Sequence, residues 1–161
     1  AMAKELGSRS SNHERWMREA LGLAQQAAEA DEVPVGAIVV HNGEIIGRGF
    51  NQPIRSCDAT AHAEIVAIRS ASQFRNNYRL PGTTVYVTIE PCTMCLGAMI
   101  HARVDRLVFG ATEPRAGAVV SQGSLLEAGH FNHQLSFIDG VLAEECSSLM
   151  QSFFRNKRKA N

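Results

Sequence analysis

The sequence of 161 residues lacks the features of a membrane or secreted protein. No apolar run approaches the roughly 20 residues that a membrane-spanning helix needs, and residues 1–12 contain no apolar signal core. There is also no internal repeat and no long linker. We therefore expect one cytoplasmic domain over residues 1–161, with residues 1–12 either disordered or derived from expression.

The sequence also lacks an excess of charge of either sign. The 16 Lys and Arg residues balance the 16 Asp and Glu residues, so the formal net charge is zero. This balance excludes a globally basic nucleic-acid binder but permits a local basic patch. Residues 155–161 contain four basic and no acidic residues, and we expect them to form a basic C-terminal tail.

Cysteine is scarce, with four residues in the chain. Cys92 and Cys95 are close together, whereas Cys57 and Cys146 stand alone. Without a signal peptide, the close pair indicates metal or redox chemistry in a reducing compartment rather than a disulfide framework. Cys57 and Cys146 are expected to be free thiols, with Cys146 on the buried face of the last helix.

The hydrophobic pattern alternates between helical and strand periods. The predicted helices span residues 11–32, 60–71, 91–103 and 142–154, and the predicted strands span residues 35–41, 44–50, 84–89, 106–109 and 135–138. Asn42-Gly43 predicts a tight antiparallel hairpin, and the later strands, separated by helices, are expected to be parallel. The pattern therefore predicts an α/β protein, a three-layer α/β/α sandwich with a mixed five-stranded sheet.

Three residues have the chemistry and spacing of catalytic zinc ligands. Cys92 and Cys95 are three residues apart at a predicted helix start, and His62 stands at the start of another helix. Catalytic zinc takes three protein ligands and leaves its fourth position open. Helix N-termini favour nearby anions and lower thiol pKa values. We therefore predict a zinc site formed by His62, Cys92 and Cys95.

Glu64 is the predicted proton-transfer residue beside this site. In the middle of a helix, residues two apart point to different sides, which would separate Glu64 from His62. If the helix begins close to His62, both side chains reach the same site. The carboxylate would then move a proton from the attacking water to the leaving group.

Each half of the pattern has a simpler interpretation. His-x-Glu alone is common at the surface of helix starts. Cys-x-x-Cys alone is also typical of redox sites or of half a structural zinc site, in which Cys57 or Cys146 would be a fourth ligand. The combination of both halves, with a strand and Pro91 before Cys92, is far more specific.

His-x-Glu followed by Pro-Cys-x-x-Cys is the signature of the zinc-dependent nucleobase deaminases. Within them, the sequence closely resembles the bacterial tRNA-specific adenosine deaminases, from about His13 to Arg158. The segments that carry the closer resemblance are residues 32–37, 49–51, 60–64, 77–80, 90–92, 94–95, 97–101, 108–111 and 153–155.

This resemblance implies a cytidine-deaminase-like fold and the hydrolysis of adenosine to inosine at the wobble position of a tRNA, typically the arginine tRNA with anticodon ACG. It implies a homodimer in which the partner lines part of each active site. His62, Cys92 and Cys95 match the zinc ligands, with about one zinc per chain. Glu64 matches the proton shuttle, and Asn51 matches an asparagine that contacts the base.

A further set of residues is predicted to contact the RNA. The basic C-terminal residues are expected to contact phosphates, the alternative being a solvated helix end that suits the helix dipole. The alternative for Asn51 is a local turn with Pro53, and for Glu113 a solvated charge. The full predicted substrate set is Asn51, Val33, Ala63, Glu113, Phe154, Arg155, Lys157 and Arg158.

Two positions depart from the family pattern. Ala59 stands where proline is common, and Glu113 stands where aspartate is common, which adds one methylene and leaves the geometry of its loop open. Neither change affects the proposed chemistry.

Two rival functions remain. One is a deaminase of a free base or nucleotide, against which the basic tail argues, and the other is a non-catalytic, zinc-stabilised RNA-binding module.

The expected homodimer is supported by apolar residues beyond those that one helix needs to pack on one face of the sheet. The alternative is that these residues simply belong to the core. They are Met94, Met99, Ile100 and Tyr78.

Overall fold

The computed structural model describes residues 2–4, 11–124, 127 and 133–160. The helices in this part of the chain are α1 (Ser11–Glu29), α2 (Ala63–Arg75), α3 (Thr93–His101) and α4 (Ala143–Ala160). The strands are β1 (Met2–Lys4), β2 (Gly36–His41), β3 (Glu44–Phe50), β4 (Thr83–Ile89), β5 (Arg106–Ala111) and β6 (Leu135–Ile138).

The strands form one mixed sheet in the order β1-β6-β5-β4-β2-β3. Strand β2 is antiparallel to β3 and β4, whereas β4, β5, β6 and β1 run parallel. One buried cluster joins α2 and α3 to the sheet and the other joins α1 and α4, with Val85 in the first and Tyr86 in the second. Neighbouring strand residues point to opposite faces, so the predicted α/β/α sandwich is confirmed, and strands β2 to β6 form its mixed five-stranded sheet.

A sixth strand lies within residues 1–12, the segment expected to be disordered or derived from expression. Residues 2–4 form β1, which pairs in parallel with β6 from Met2 opposite Leu135 to Lys4 opposite Phe137. Ser11 and Asn12 already belong to α1, while residues 1 and 5–10 lie outside the described residues. Strand β1 pairs its main chain with the edge of β6. A sequence of three residues gives no periodic pattern from which such pairing could be predicted.

The predicted basic tail is helical. Helix α4 continues to Ala160, so residues 155–160 form its last turns, and residue 161 lies outside the described part. The physical reason is that residues 143–160 contain no Gly or Pro, and Arg and Lys form helices well. None of the described helices is long and apolar enough to cross a membrane.

Strand β3 sets the position of α2. The hairpin that leads into β3 is confirmed, because Asn42 has a φ of 50° and Gly43 a φ of 76°, both positive as this turn requires. Further along, a Cβ atom at Gly49 would lie 2.5 Å from the carbonyl oxygen of Ala63. Glycine therefore permits the first turn of α2 to lie directly on β3, which fixes the position of His62 just before it.

Candidate metal centre and active site

The three predicted metal ligands meet at one point. The Nδ1 atom of His62 lies 3.6 Å from the Sγ atom of Cys92 and 3.5 Å from the Sγ atom of Cys95. All three ligand atoms lie within 4.8 Å of one another, and among the described residues no other group of His, Cys, Asp and Glu has this arrangement. The fold thus brings His62 together with Cys92 and Cys95, which lie 30 and 33 positions further along the chain, as the sequence predicts.

These distances fit a tetrahedral zinc ion. Zinc bonds of about 2.3 Å to sulfur and about 2.0 to 2.1 Å to nitrogen, at a tetrahedral angle, separate the two ligand atoms by about 3.6 Å. The separations of 3.6 and 3.5 Å agree with that value. One imidazole nitrogen and two thiol sulfurs are also ligands that zinc favours. The residues present therefore fit zinc.

Two helix starts place the ligands. His62 is the N-cap of α2 and Cys92 the N-cap of α3, both with extended backbone. Cys95 lies in the first turn of α3 and is fully buried. The unpaired N–H groups and positive dipole ends of both helices face this region, so they stabilise negative charge on the sulfurs.

The pKa values of the two thiols shift in opposite directions. A hydrogen bond with Cys95 lowers the pKa of Cys92 to about 4, helped by His62 and opposed by burial. The same hydrogen bond, together with burial, raises the pKa of Cys95, and a hydrogen bond with Cys92 raises the pKa of His62. One thiolate is therefore ready to bind a cation at neutral pH.

Glu64 lies beside the ligands without being one of them. It stands in the first turn of α2, because the helix begins at Ala63 and so meets the condition set by the sequence prediction. Its side chain is buried, and burial raises the pKa of its carboxyl to about 7. A carboxyl with this pKa can both accept and release a proton near neutral pH.

The remaining cysteines do not complete a four-ligand site. Cys57 is exposed in the turn that follows β3, and Cys146 is buried in the cluster on the α1 and α4 face of the sheet. Burial also raises the pKa of the Cys146 thiol to about 12. Both are the free thiols expected from the sequence, and the ligand group of the described chain has three members.

Most predicted substrate residues line one groove. The groove has a volume of about 810 Å³ and lies between the end of α4 and the loop that follows β5. Its lining comprises Val33, Glu113, Pro114, Arg115, Met150, Gln151, Phe154, Arg155, Lys157 and Arg158. Four of these side chains are basic and one is acidic, so the groove suits a polyanion although the protein has no net charge.

The basic residues of the groove are not equivalent. The Nζ atom of Lys157 lies 2.6 Å from an Oδ atom of Asp31, which joins α4 to the end of α1. Arg155 and Arg158 have no carboxylate partner among the described residues, so their charges remain available. Arg115, from the loop that follows β5, adds a fourth cation.

Two predicted substrate residues lie elsewhere. Asn51 follows β3, half-buried, and donates its backbone N–H to the carbonyl of Val35, while its side-chain amide has no partner in the described part of the chain. Ala63 is fully buried against β3. Ala63 does not line the groove, and its role in substrate binding stays a prediction.

Two buried carboxylates, Glu32 and Glu90, have no role predicted from the sequence. Glu32 accepts hydrogen bonds from the backbone N–H groups of Ile54 and Arg55. Glu90 accepts them from the loop after β5. Burial raises the pKa of Glu90, but hydrogen bonds from Ser121 and from that loop's backbone outweigh burial and lower it overall. An acidic residue directly after an apolar strand, as at Glu90, is the one signal that the sequence contained.

Comparison with known proteins places the chain in a family. Residues 10–111, more than half of the chain, match the family model described as the cytidine and deoxycytidylate deaminase zinc-binding region. The tRNA-specific adenosine deaminase of Haemophilus influenzae is 47% identical over 152 residues, covering 94% of this chain and 88% of that protein. The protein of the same description from Bacillus subtilis is 44% identical, covering 91% of each chain.

Solved structures give the same result. A structure from a study of A-to-I editing by tRNA:A34 deaminases has a TM-score of 0.82 and 41% identity, and covers 84% of this chain and 98% of that chain. The guanine deaminase of Bacillus subtilis is more distant, with a TM-score of 0.61, 36% identity and coverage of 75% and 72%. The chain therefore belongs to the cytidine and deoxycytidylate deaminase family, and within it to the tRNA-specific adenosine deaminases.

Proposed function

We propose that this protein is a zinc-dependent enzyme that converts adenosine to inosine at the wobble position of a tRNA anticodon, typically that of the arginine tRNA with ACG. The observation that carries the proposal is the meeting of His62, Cys92 and Cys95 beside the buried carboxyl of Glu64. Hydrolytic deamination needs a metal site of this type and a separate proton carrier. The names of the relatives support tRNA as the substrate.

The residues of the site have distinct roles in this reaction. His62, Cys92 and Cys95 would hold about one zinc per chain. When bound, zinc supplies a Lewis acid that activates water for attack on C6 of adenine. Glu64 takes one proton from the attacking water and passes it to the ring nitrogen N1. It then takes the proton of the hydroxyl added at C6 and passes it to the amino group, which leaves as ammonia as the C6 carbonyl forms. Its pKa of about 7 suits both transfers.

The groove at the end of α4 is the proposed RNA contact. Arg155 and Arg158 have free charges there, and Phe154 lines the same groove with a partly exposed ring. Guanidinium groups bind phosphates, and exposed rings stack on unpaired bases. The groove therefore offers what an anticodon stem-loop requires.

Asn51 is the proposed contact to the adenine or its ribose. Its side-chain amide has one donor group and one acceptor oxygen, and no residue of the described chain satisfies either. This availability favours substrate binding over the local turn with Pro53. We expect Asn51→Ala to reduce deamination while the melting temperature stays nearly unchanged.

A homodimer is the proposed assembly. Met99 and Ile100 are buried in the core, so the simple core role holds for these two. Tyr78, Met94 and Phe74 are exposed on or next to the α2 and α3 layer. An exposed apolar surface of this kind is typical of an interface, and two-fold symmetry is the commonest closed arrangement. Sedimentation at micromolar concentration should show twice the monomer mass, and a monomer would contradict this proposal.

The rival functions make different predictions. A deaminase of free bases shares this fold, but a small substrate does not need the basic groove. A non-catalytic RNA-binding module does not need the buried Glu64. In the cytoplasm, where we propose that the protein acts, tRNA and free bases are both present, so only a direct comparison separates them.

Ammonia release from matched substrates tests the proposal. The zinc-loaded protein is incubated separately with an anticodon stem-loop containing ACG, the same RNA with guanosine at the wobble position, adenosine, guanine and cytosine. We expect release from the ACG stem-loop alone. Faster release from guanine or cytosine than from the stem-loop would favour a free-base deaminase, and no release from any substrate would favour the binding module.

A further inference from the structure

Glu90 is a buried carboxylate to which the proposed reaction assigns no role. It follows β4 directly, has 3% of its surface exposed, and stands two residues before the ligand Cys92. Among the described residues, no lysine or arginine forms an ion pair with it. Neutral donors from a single segment satisfy its charge, and we call this segment, residues 113–121, the groove loop.

Five donors of the groove loop converge on this carboxylate. The backbone N–H groups of Val119, Val120 and Ser121 donate to Oε2 at 3.0, 2.8 and 3.0 Å. The backbone N–H of Glu113 donates to Oε1 at 3.0 Å, and the hydroxyl of Ser121 donates to the same oxygen. Successive backbone N–H groups of this kind form an anion-binding nest, so both ends of the loop are tied to one side chain.

The loop contains a glycine where the carboxylate leaves no space. A Cβ atom at Gly117 would lie about 2.3 to 2.5 Å from the carboxylate atoms of Glu90. No other residue type avoids that contact. The backbone N–H of Ala118 also donates to the carbonyl of Pro91 at 2.9 Å. The loop is therefore wrapped around the segment that leads into the ligand Cys92.

The same loop forms one wall of the basic groove. Glu113, whose N–H is held by Glu90, lines the groove together with Pro114 and Arg115. The opposite wall is the end of α4. Because Glu90 holds both ends of the loop, it sets the separation between this wall and the arginines of α4.

We infer that Glu90 is a positioning residue that holds the groove loop in the shape that binds the RNA substrate. This inference rests on the proposed function. Glu90 contacts no reacting atom in this assignment and acts through the position of Glu113, Pro114 and Arg115. Its loss should weaken the binding of RNA more than it slows the chemical step.

Glu90→Gln tests this inference with almost no change in volume. An amide group keeps one acceptor oxygen and replaces the other with a donor. With the oxygen at the Oε2 position, the three N–H groups of residues 119–121 stay satisfied and the Ser121 hydroxyl can turn to accept. The N–H of Glu113 then loses its acceptor, so the broken hydrogen bond is the one that holds the groove wall.

The experiment measures kcat and KM on the ACG stem-loop, zinc content, and amide hydrogen exchange of the zinc-loaded protein. For Glu90→Gln we expect KM to rise about tenfold, the equivalent of one lost charge-assisted hydrogen bond. We expect kcat within about threefold of the wild type, unchanged zinc, and faster exchange in residues 113–121 but not in α2. Gly117→Ala should give the same pattern, because its Cβ displaces the same carboxylate.

Ile38→Val is the matched control, since it lowers stability in the buried cluster of the opposite sheet face without touching the loop. It should leave KM and the exchange of residues 113–121 unchanged. An equal rise in KM in this control, or an unchanged KM in Glu90→Gln, would overturn the positioning role. A wild type inactive on the stem-loop would instead overturn the proposed function, and the exchange pattern would still judge whether Glu90 holds the loop.

Discussion

At the scale of single residues, Glu64 and its neighbours show how burial separates chemical roles. His62, Cys92 and Cys95 point their nitrogen and sulfur atoms at one another. Glu64 lies beside them in a buried position that favours its neutral form at the pH where the thiolate of Cys92 already exists. A carboxyl that resists ionisation is suited to carry protons rather than to hold a metal.

Replacing Glu64 should therefore remove activity and leave the protein folded. Glu64→Gln preserves the size of the side chain and removes its proton transfer. We expect deamination to fall roughly 10²- to 10⁴-fold, with zinc content unchanged. The melting temperature should not fall, because a buried neutral amide replaces a group whose charge burial disfavours. Glu44→Gln, at an exposed position on β3, is the control, and near-normal turnover in Glu64→Gln would contradict the mechanism.

The ligands should control both metal content and stability. Replacing Cys92 or Cys95 with alanine leaves two ligands, and the free energy of metal binding contributes to folding. We expect the zinc content, measured by elemental analysis, to fall below roughly one tenth of the wild-type value, because a site with two ligands binds zinc weakly. The melting temperature should fall as well. Cys57→Ala, at an exposed cysteine outside the site, should change neither quantity. Full zinc in both ligand variants would remove the assignment.

The two isolated thiols should differ in reactivity. Burial raises the pKa of Cys146 to about 12, so at pH 8 almost none of it is thiolate. Cys57 is exposed in a turn. Brief alkylation of the native, zinc-loaded protein at pH 8, followed by peptide mass spectrometry, should therefore label Cys57 and leave Cys146 unmodified until the protein is unfolded. Labelling of Cys146 at the rate of Cys57 would contradict the burial described for α4.

At the scale of elements, the contact between β3 and the start of α2 fixes the metal site. Gly49→Ala would place a methyl group 2.5 Å from the carbonyl oxygen of Ala63. We expect a loss of about 1 to 3 kcal/mol in the free energy of unfolding and reduced zinc affinity, because α2 carries His62 at its N-cap. Denaturant unfolding and zinc titration measure both effects.

Gly22→Ala is the opposite case within the same chain. Gly22 lies in α1, and a Cβ atom there would meet nothing within 4 Å. This variant should gain about 0.5 to 1 kcal/mol and keep its zinc affinity. If Gly49→Ala behaves like Gly22→Ala, close packing of α2 on β3 does not position the ligand.

The elements also show which parts of the fold can be predicted from sequence. Periodicity located five strands and four helices because their side chains bury one face or alternate, and the hairpin was marked by residues that adopt positive φ. Strand β1 was missed because three residues contain no period. The last turns of α4 have no apolar face, so their run of basic residues predicts a basic tail and gives no sign of a helix.

At the scale of the whole molecule, a neutral protein concentrates positive charge in one groove. Arg155 and Arg158 line it, whereas Lys159 on the same helix does not. Each phosphate contact adds roughly 0.7 to 0.9 to the salt slope of log affinity. Replacing both arginines with alanine should therefore weaken binding of the stem-loop and reduce the slope by about 1.4 to 1.8.

Lys159→Ala is the control for these arginines. It removes one positive charge from α4 outside the groove, so the salt slope should stay close to that of the wild type. If Lys159→Ala lowers the salt slope by the same amount per charge, the affinity for RNA depends on the net charge of the helix end rather than on the groove. An unchanged slope in the double arginine variant would assign these side chains to a solvated helix end.

The metal ligands and Glu64 could be predicted because their chemistry lies in short motifs. The groove loop could not, because its shape depends on donors 23 to 31 residues away from the carboxylate of Glu90. No local pattern encodes that distance. The packing of Ala63 on Gly49 is likewise not visible in the motif, because the two residues lie on different elements.

The most direct test of the central claim reads the product base in the RNA. Full-length arginine tRNA with anticodon ACG is incubated with the zinc-loaded wild type or with Glu64→Gln and is then reverse-transcribed and sequenced, because inosine is read as guanosine. We expect an A-to-G change at the first anticodon position with the wild type, and none above background with Glu64→Gln. An unchanged adenosine with the wild type, or the same conversion with both proteins, would contradict the account.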